Sequence, residues 1–222
     1  METDWNILGP EGIKFFGKIS STTTHELNNS IGVINEKAGL LEDLALMSDQ
    51  GSEPDFEKWI GIVQKIKESV LKTHEIINNF NQFAHTADHL KKVSDPVIMV
   101  KLALSLSRRI LSRKGIAPGL SIKGESVSVD INPFLFINLM VTCLVFAADH
   151  ADENARIAIE LEQKGKKINI RFSGMDLENS RAFPGRPEQA LLDCLDCELK
   201  IEKEKNYLVI LLDTSKLDGE KI

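Results

Sequence analysis

The chain has 222 residues, 42% hydrophobic and 27% charged, the balance of a globular protein and not of a disordered segment. Lys and Arg number 27 against 33 Asp and Glu, and the resulting formal charge of −6 argues against general nucleic-acid binding, which needs clustered cations facing phosphates. Three cysteines cannot close a disulfide framework, and no basic-then-apolar opening marks a secretory signal, so a cytoplasmic setting is expected.

Two long periodic segments come first. Ile13, Phe16, Ser20, Thr23, Leu27, Ile31, Ile34, Ala38, Leu41 and Ala45 step by three and four, with one stutter at Leu27–Ile31. Phe56, Trp59, Val63, Ile66, Val70, Thr73, Ile77, Phe80, Ala84 and Ala87 do so without interruption. The turn formers from Ser48 to Asp55 separate them, and Pro54 and Asp55 suit the start of a second helix. Together they predict an antiparallel helical hairpin. One hairpin cannot bury both seams, so a homodimer completing a four-helix bundle is expected.

After Leu90 the pattern changes. Asp95-Pro96 opens a helix running to about Leu111, closed by Gly115 and Pro118-Gly119. Short alternating stretches follow at Leu120–Lys123 and Val127–Val129. Asn132-Pro133 opens an apolar helix over 134–149. Its apolar run, Phe134–Ala148, is shorter than the roughly 20 residues of a membrane span, and Asn138 and Thr142 interrupt it, so no membrane partner is expected. Arg156–Gln163 and Lys166–Phe172 flank Lys164-Gly165 as a hairpin. A loop over Gly174–Pro187, a helix over Glu188–Cys197 and a strand pair at Glu198–Glu202 and Tyr207–Asp213 complete the chain. The predicted class is α+β: a dimerising helical hairpin over 1–92, then a sheet covered on one face by helices over 93–222.

His25 lies two residues before the seam residue Leu27, about 200° round a helix, and is expected to face outward. Neutral imidazole is a usable nucleophile near neutral pH. Glu26 follows as a proton or hydrogen-bond acceptor, and Asn29 lies one turn on, suited to holding a water or a phosphoryl oxygen. Asn28, Gly32, Glu36 and Gly39 extend this face with small or polar side chains, a surface a partner helix can approach closely. With a turn near Gly51, His74 falls opposite His25, and His74, Asn78 and Lys67 join the candidate docking residues. Cys194 and Cys197 have redox-like spacing without a second pair. His85 and His89 have metal-like spacing without an acidic partner. Arg181, Arg186 and Lys200 are scattered cations; all of these read as ordinary surface or core residues.

The string His25-Glu26-Leu27-Asn28-Asn29-Ser30-Ile31 resembles the H-box of the dimeric histidine kinases, with Ser30 where that family commonly carries Pro. Lys101–Ile116, ending in Arg113-Lys114-Gly115-Ile116, is similar to the first helix of that family's ATP-binding domain, and Asn132–Ala151 to its N-box helix. The N-box here reads Asn138-Leu139-Met140-Val141-Thr142-Cys143, with Thr142 where the family places a magnesium-coordinating Asn. Phe172-Ser173-Gly174-Met175-Asp176 stands where Asp-x-Gly-x-Gly is expected, and only Gly185-Arg186-Pro187 stands for the glycine-rich phosphate loop.

A retained H-box beside eroded ATP motifs resembles the dimeric histidine phosphotransferases of the sporulation initiation phosphotransferase B type. The resemblance implies a phosphorelay enzyme without autokinase activity. It further implies that His25 would take a phosphoryl group from one response-regulator receiver and pass it to another, and that the receiver would supply the magnesium, so that no cofactor or metal of the chain's own is expected. The competing readings are a phosphatase or pseudo-kinase regulator, in which Glu26 and Asn29 orient water, and a divergent active sensor kinase.

Overall fold

The computed structural model describes residues 4–50, 53, 55–124, 128–152, 155–164, 167–178, 180 and 182–213. Gly51, Ser52, Pro54, Val127, Gly165, Lys166 and Arg181 lie outside them. The chain divides into two compact units, Lys18–Gln82 and a second joining Met1–Gly17 with Phe83–Ile222.

The first unit is drawn from α1 (Trp5–Asp49) and α2 (Phe56–Ala84). Asp55 starts α2: its Oδ1 accepts from the Lys58 backbone N–H at 3.0 Å, satisfying one of the orphan donors of a helix N-terminus. The covered row of α2 runs Trp59, Ile62, Ile66, Ser69, Thr73, Ile76, Phe80. On α1 it runs Ile19, Thr23, Glu26, Ser30, Ile34, Lys37, Leu41, Leu44. These rows overlap the seams read from sequence but are rotated from them. Phe56, Val63, Val70 and Ile77 of α2 are exposed, as are Ile31, Ala38 and Ala45 of α1. The sequence pattern had merged two neighbouring rows into one seam. A single hairpin covers only one of them.

In the second unit an aromatic cluster ties together the first turns of α1, the last turn of α2 and the start of α4 (Pro133–Asp149). Phe15 meets Phe83 and Phe134 edge-on at 5.6 and 5.7 Å, while Phe16 stacks on Phe83 at 5.6 Å. Such pairs contribute about 0.5–1.5 kcal/mol beyond their buried area. After a 3₁₀ turn at His85–Ala87, β1 (Lys92–Ser94) pairs antiparallel with β3 (Val129–Ile131) as a two-stranded sheet. Three-residue β1 is too short to leave a periodic signal, and β3 lies two residues later than expected because Val129, Asp130 and Ile131 are its pairing residues.

α3 (Pro96–Ser112) starts where Asp95 accepts from Val97 N–H at 2.8 Å, and α4 where Asn132 accepts from Leu135 N–H at 3.0 Å. Both carry Pro in the first turn, where a missing N–H is tolerated. The five-stranded sheet has the order β2-β4-β5-β7-β6, with β2 (Gly119–Lys123) parallel to β4 (Ala158–Lys164) and the other pairs antiparallel. In β5 (Lys167–Ser173), Ile168, Ile170 and Phe172 point inward; in β7 (Tyr207–Asp213), Leu208, Ile210 and Leu212 do the same. α4 lies over that face and is buried nearly all round, with Phe136, Ile137, Leu139, Met140, Leu144 and Phe146 in the core. Each such side chain contributes about 1.5–3 kcal/mol by leaving water.

Gly174 ends β5 with φ +92°, and a Cβ there would lie 2.3 Å from the Arg156 carbonyl, so only glycine fits. α5 covers Arg186–Cys194, not Glu188–Cys197. Asp196 adopts φ 50° beyond its end, and Cys197 already belongs to β6 (Cys197–Glu202). No helix among the described residues is long and apolar enough to cross a membrane.

Candidate functional site

α1 around His25 carries three distinct sectors. One faces α2 through Thr23, Glu26 and Ser30, of which Thr23 and Ser30 are buried. The second holds Leu27, Ile31, Ala38 and Ala45, about 75° further round. The third carries His25, Asn28, Asn29, Gly32 and Glu36, all exposed, with Gly39 half-buried at its edge.

His25 makes no side-chain hydrogen bond or ion pair with another described residue. The hydroxyls just before it do not reach it: Thr22 and Thr24 donate to the Lys18 and Ser20 carbonyls, each at 2.9 Å. Either ring nitrogen is therefore available for attack. Glu26 does not hydrogen-bond to His25, because consecutive helical residues diverge by about 100° and Glu26 turns toward the α2-facing sector. Asn29 is exposed and likewise makes no side-chain hydrogen bond to a described residue, so its amide remains open. Glu36 is paired with Lys37 at 2.8 Å. A Cβ at Gly32 or Gly39 would meet nothing within 4 Å, so packing inside this chain demands neither glycine.

On α2, His74, Asn78 and Lys67 share one exposed face. Asn78 Nδ2 donates to His74 Nδ1 at 3.1 Å, which places the His74 ring proton on Nε2, directed outward as a donor. Phe16 stacks on Phe83; nine residues on from one is His25, and nine back from the other is His74. Ile60 and Leu71, which the sequence reading did not single out, are 59% and 72% exposed and extend the Lys67–His74–Asn78 face. Their spacing at 60, 67, 71, 74 and 78 is itself helical, and that was the signal available.

In the α/β unit, Thr142 Oγ1 donates to Asn138 Oδ1 at 3.4 Å; the two side chains are thus joined to each other, with Asn138 buried. One turn beyond, the Phe183 ring stacks on Phe146 at 4.2 Å, and Phe146 also meets His150 at 4.3 Å. At the start of α5 the Glu188 carboxylate accepts from Gly185 N–H at 2.9 Å, and Pro187 has no N–H to offer. A carboxylate therefore occupies the helix N-terminus where an anionic ligand would otherwise find donors. Asp176 Oδ1 accepts from Glu178 N–H at 3.0 Å, a local turn contact. Among the other candidates, burial pushes the Cys197 thiol up to about 12 and raises that of Cys143 as well, so neither is a reactive thiolate. His85 pairs with Asp88 at 2.8 Å, Arg186 with Asp4 at 3.8 Å and Lys200 with Glu198 at 3.6 Å.

No family model matches the chain, and no curated protein does. Among solved structures, a bacterial phosphotransferase is 17% identical over 88% of this chain and 94% of its own, with a TM-score of 0.47. The histidine kinase AdeS of Acinetobacter baumannii is 14% identical over 86% of this chain and 98% of its own, TM-score 0.46. The histidine kinase ThkA in complex with the response regulator protein TrrA is 12% identical over 92% of this chain and 64% of its own, TM-score 0.46. All three TM-scores lie below 0.5. The functional reading therefore rests on the side chains described above.

Proposed function

We propose that the chain is a histidine phosphotransferase of a two-component phosphorelay, acting as a homodimer on response-regulator receiver domains. The observation that carries this reading is His25: an exposed imidazole with no hydrogen-bond or ion-pair partner among the described residues, set in an H-box-like string on a helix whose α2-facing sector is taken up by packing within the chain. An exposed apolar sector on both helices supports the homodimer. Ile31 is 46% and Val70 49% exposed in one chain, and a second copy covers both.

In the transfer step a lone pair of a His25 ring nitrogen attacks phosphorus in line as the acyl P–O bond to the receiver aspartate breaks. The aspartate leaves as a carboxylate with the bonding electron pair. The reverse step delivers the group to a second receiver. Such chemistry asks mainly for position and charge neutralisation. Asn29 is suited to donate to a phosphoryl oxygen. The receiver's acidic pocket brings the magnesium. The absence of autokinase activity is supported by the Asn138–Thr142 pair, the Phe183–Phe146 stack and the Glu188 cap, each of which fills a place or a donor that a nucleotide needs.

The test is incubation with receiver domains carrying labelled aspartyl phosphate. Acid-labile label on the wild-type chain, lost in His25→Ala while the dimer persists in light scattering, is the expected result. Release of free phosphate with no labelled protein assigns the chain to receiver dephosphorylation instead.

A further inference from the structure

We infer that the α/β unit carries a binding site for a single-chain amphiphilic carboxylate, a free fatty acid of medium chain length. The inference is independent of the phosphotransfer reading and concerns a different part of the chain.

The site is a cavity of about 360 Å³ that lies wholly within the unit joining Met1–Gly17 with Phe83–Ile222. Its walls come from the first turns of α1, the linker after α2 and the head of α4. Trp5, Leu8, Ile13, Phe16, Leu90 and Leu135 give it an almost wholly apolar lining. Leu8 and Leu135 are buried, whereas Trp5, Ile13 and Leu90 are 53%, 77% and 71% exposed. Large apolar side chains left in water around a concavity of this size mark a place that an apolar group fills. Two glycines shape it. A Cβ at Gly12 would lie 3.3 Å from the Phe134 ring, so the missing side chain lets that ring lie close against α1. A Cβ at Gly9 would meet nothing within 4 Å, so the space beside it stays open.

The polar groups come from the linker and the head of α4, which the β1–β3 pairing holds together through Lys92 and Ile131. Asn132 accepts from Leu135 N–H at 3.0 Å through Oδ1, and its own amide donors have no partner among the described residues. The His89 imidazole lines the same cavity and makes no hydrogen bond or ion pair with a described residue. Three acids are adjacent in sequence to lining residues, and all are paired: Asp4 with Arg186 at 3.8 Å, Glu11 with Lys14 at 2.6 Å and Asp88 with His85 at 2.8 Å. Lys91 and Lys92, which follow Leu90, have no ion pair with a described residue. The N-terminus of α4 adds positive potential. Free donors and unpaired cations, with the neighbouring acids neutralised, complement an anionic head beside the apolar tail. The volume sets the tail. An apolar cavity of about 150 Å³ takes the six carbons of benzene, and at that density about 360 Å³ takes a chain of roughly twelve to fourteen.

The test follows Trp5 emission during titration with sodium dodecanoate below its micelle concentration. Trp59, the second of the two tryptophans, is removed as Trp59→Phe so that Trp5 reports alone. A saturable blue shift with one molecule bound per chain is expected, with affinity rising about fourfold per methylene from octanoate to dodecanoate. Gly9→Leu, which fills the cavity, and Leu90→Asp, which sets a carboxylate at a position 71% exposed and so leaves the fold intact, are each expected to weaken binding at least tenfold. Dodecyltrimethylammonium, with the same tail and a cationic head, is expected to bind at least tenfold more weakly than dodecanoate. The inference is overturned by the absence of a saturable response, by binding that both variants leave unchanged, or by equal binding of the cationic amphiphile. A response confined to the monomeric Ile31→Glu/Val70→Glu variant overturns it too, because a second copy then fills the cavity. Sedimentation with phosphatidylglycerol vesicles without any response to dodecanoate assigns the face to a membrane surface and likewise overturns it.

Discussion

At the scale of single residues, two kinds of side chain need separating: those the fold requires and those it merely permits. Gly174 belongs to the first kind, because its φ of +92° and the Arg156 carbonyl leave no room for a Cβ. Gly32 and Gly39 belong to the second, standing in mid-helix at a cost of about 1 kcal/mol each relative to Ala. Gly32→Ala and Gly39→Ala are therefore expected to raise stability by about 0.4–1 kcal/mol each in urea unfolding, yet to slow labelling by phospho-receiver. Equal or faster labelling would mean that the partner does not use this surface. Cysteine chemistry offers a second check. With its thiol pushed up to about 12 by burial, Cys197 stays protonated at pH 8 and is expected to resist iodoacetamide in the folded chain, whereas half-buried Cys194 reacts first by peptide mass mapping. His25 was legible from sequence because its place relative to Leu27 fixes its direction. The lack of a Glu26–His25 bond was not, since adjacency in sequence is not adjacency on a helix face.

At the scale of elements, the helical hairpin was readable because apolar steps of three and four persist through both helices. Which apolar row meets which helix was not readable, because a two-row pattern in one chain gives no sign of which row stays inside that chain. Burial resolves it. Ile62 and Ile76 are covered within the chain, and Val63, Val70 and Ile77 are not. Ile31→Glu combined with Val70→Glu is therefore expected to yield monomers in light scattering while helical circular dichroism is retained. A double variant that stays dimeric would place the dimer contact elsewhere. The strands of the sheet were legible from alternation, as in Ile168, Ile170 and Phe172. The end of α5 was not, because Asp196 in a left-handed conformation leaves no pattern ahead of it.

At the scale of the whole molecule, the proposed function separates acceptor chemistry from nucleotide chemistry. One unit carries an open imidazole, and the other carries a folded core whose expected nucleotide contacts are engaged with one another. That Thr142 stands where the resembled family carries Asn, and that Pro187 follows Arg186, could be read from the sequence. The Phe183–Phe146 stack and the Glu188 cap needed three dimensions, although Gly185-x-x-Glu188 has the spacing of a capping pair. Restoring Asn at 142 alone is accordingly expected to leave magnesium-ATP binding undetectable by calorimetry, since ring and carboxylate still fill their places. A micromolar affinity in Thr142→Asn would show that the remainder of a nucleotide site is intact. The most direct measurement is a side-by-side labelling of the wild-type dimer, one arm with [γ-³²P]ATP and magnesium, the other with the receiver domains of its source organism carrying ³²P-aspartyl phosphate. The account predicts acid-labile label on His25 in the receiver arm and none in the ATP arm; label from ATP on His25, or no labelled chain from any receiver, would contradict it.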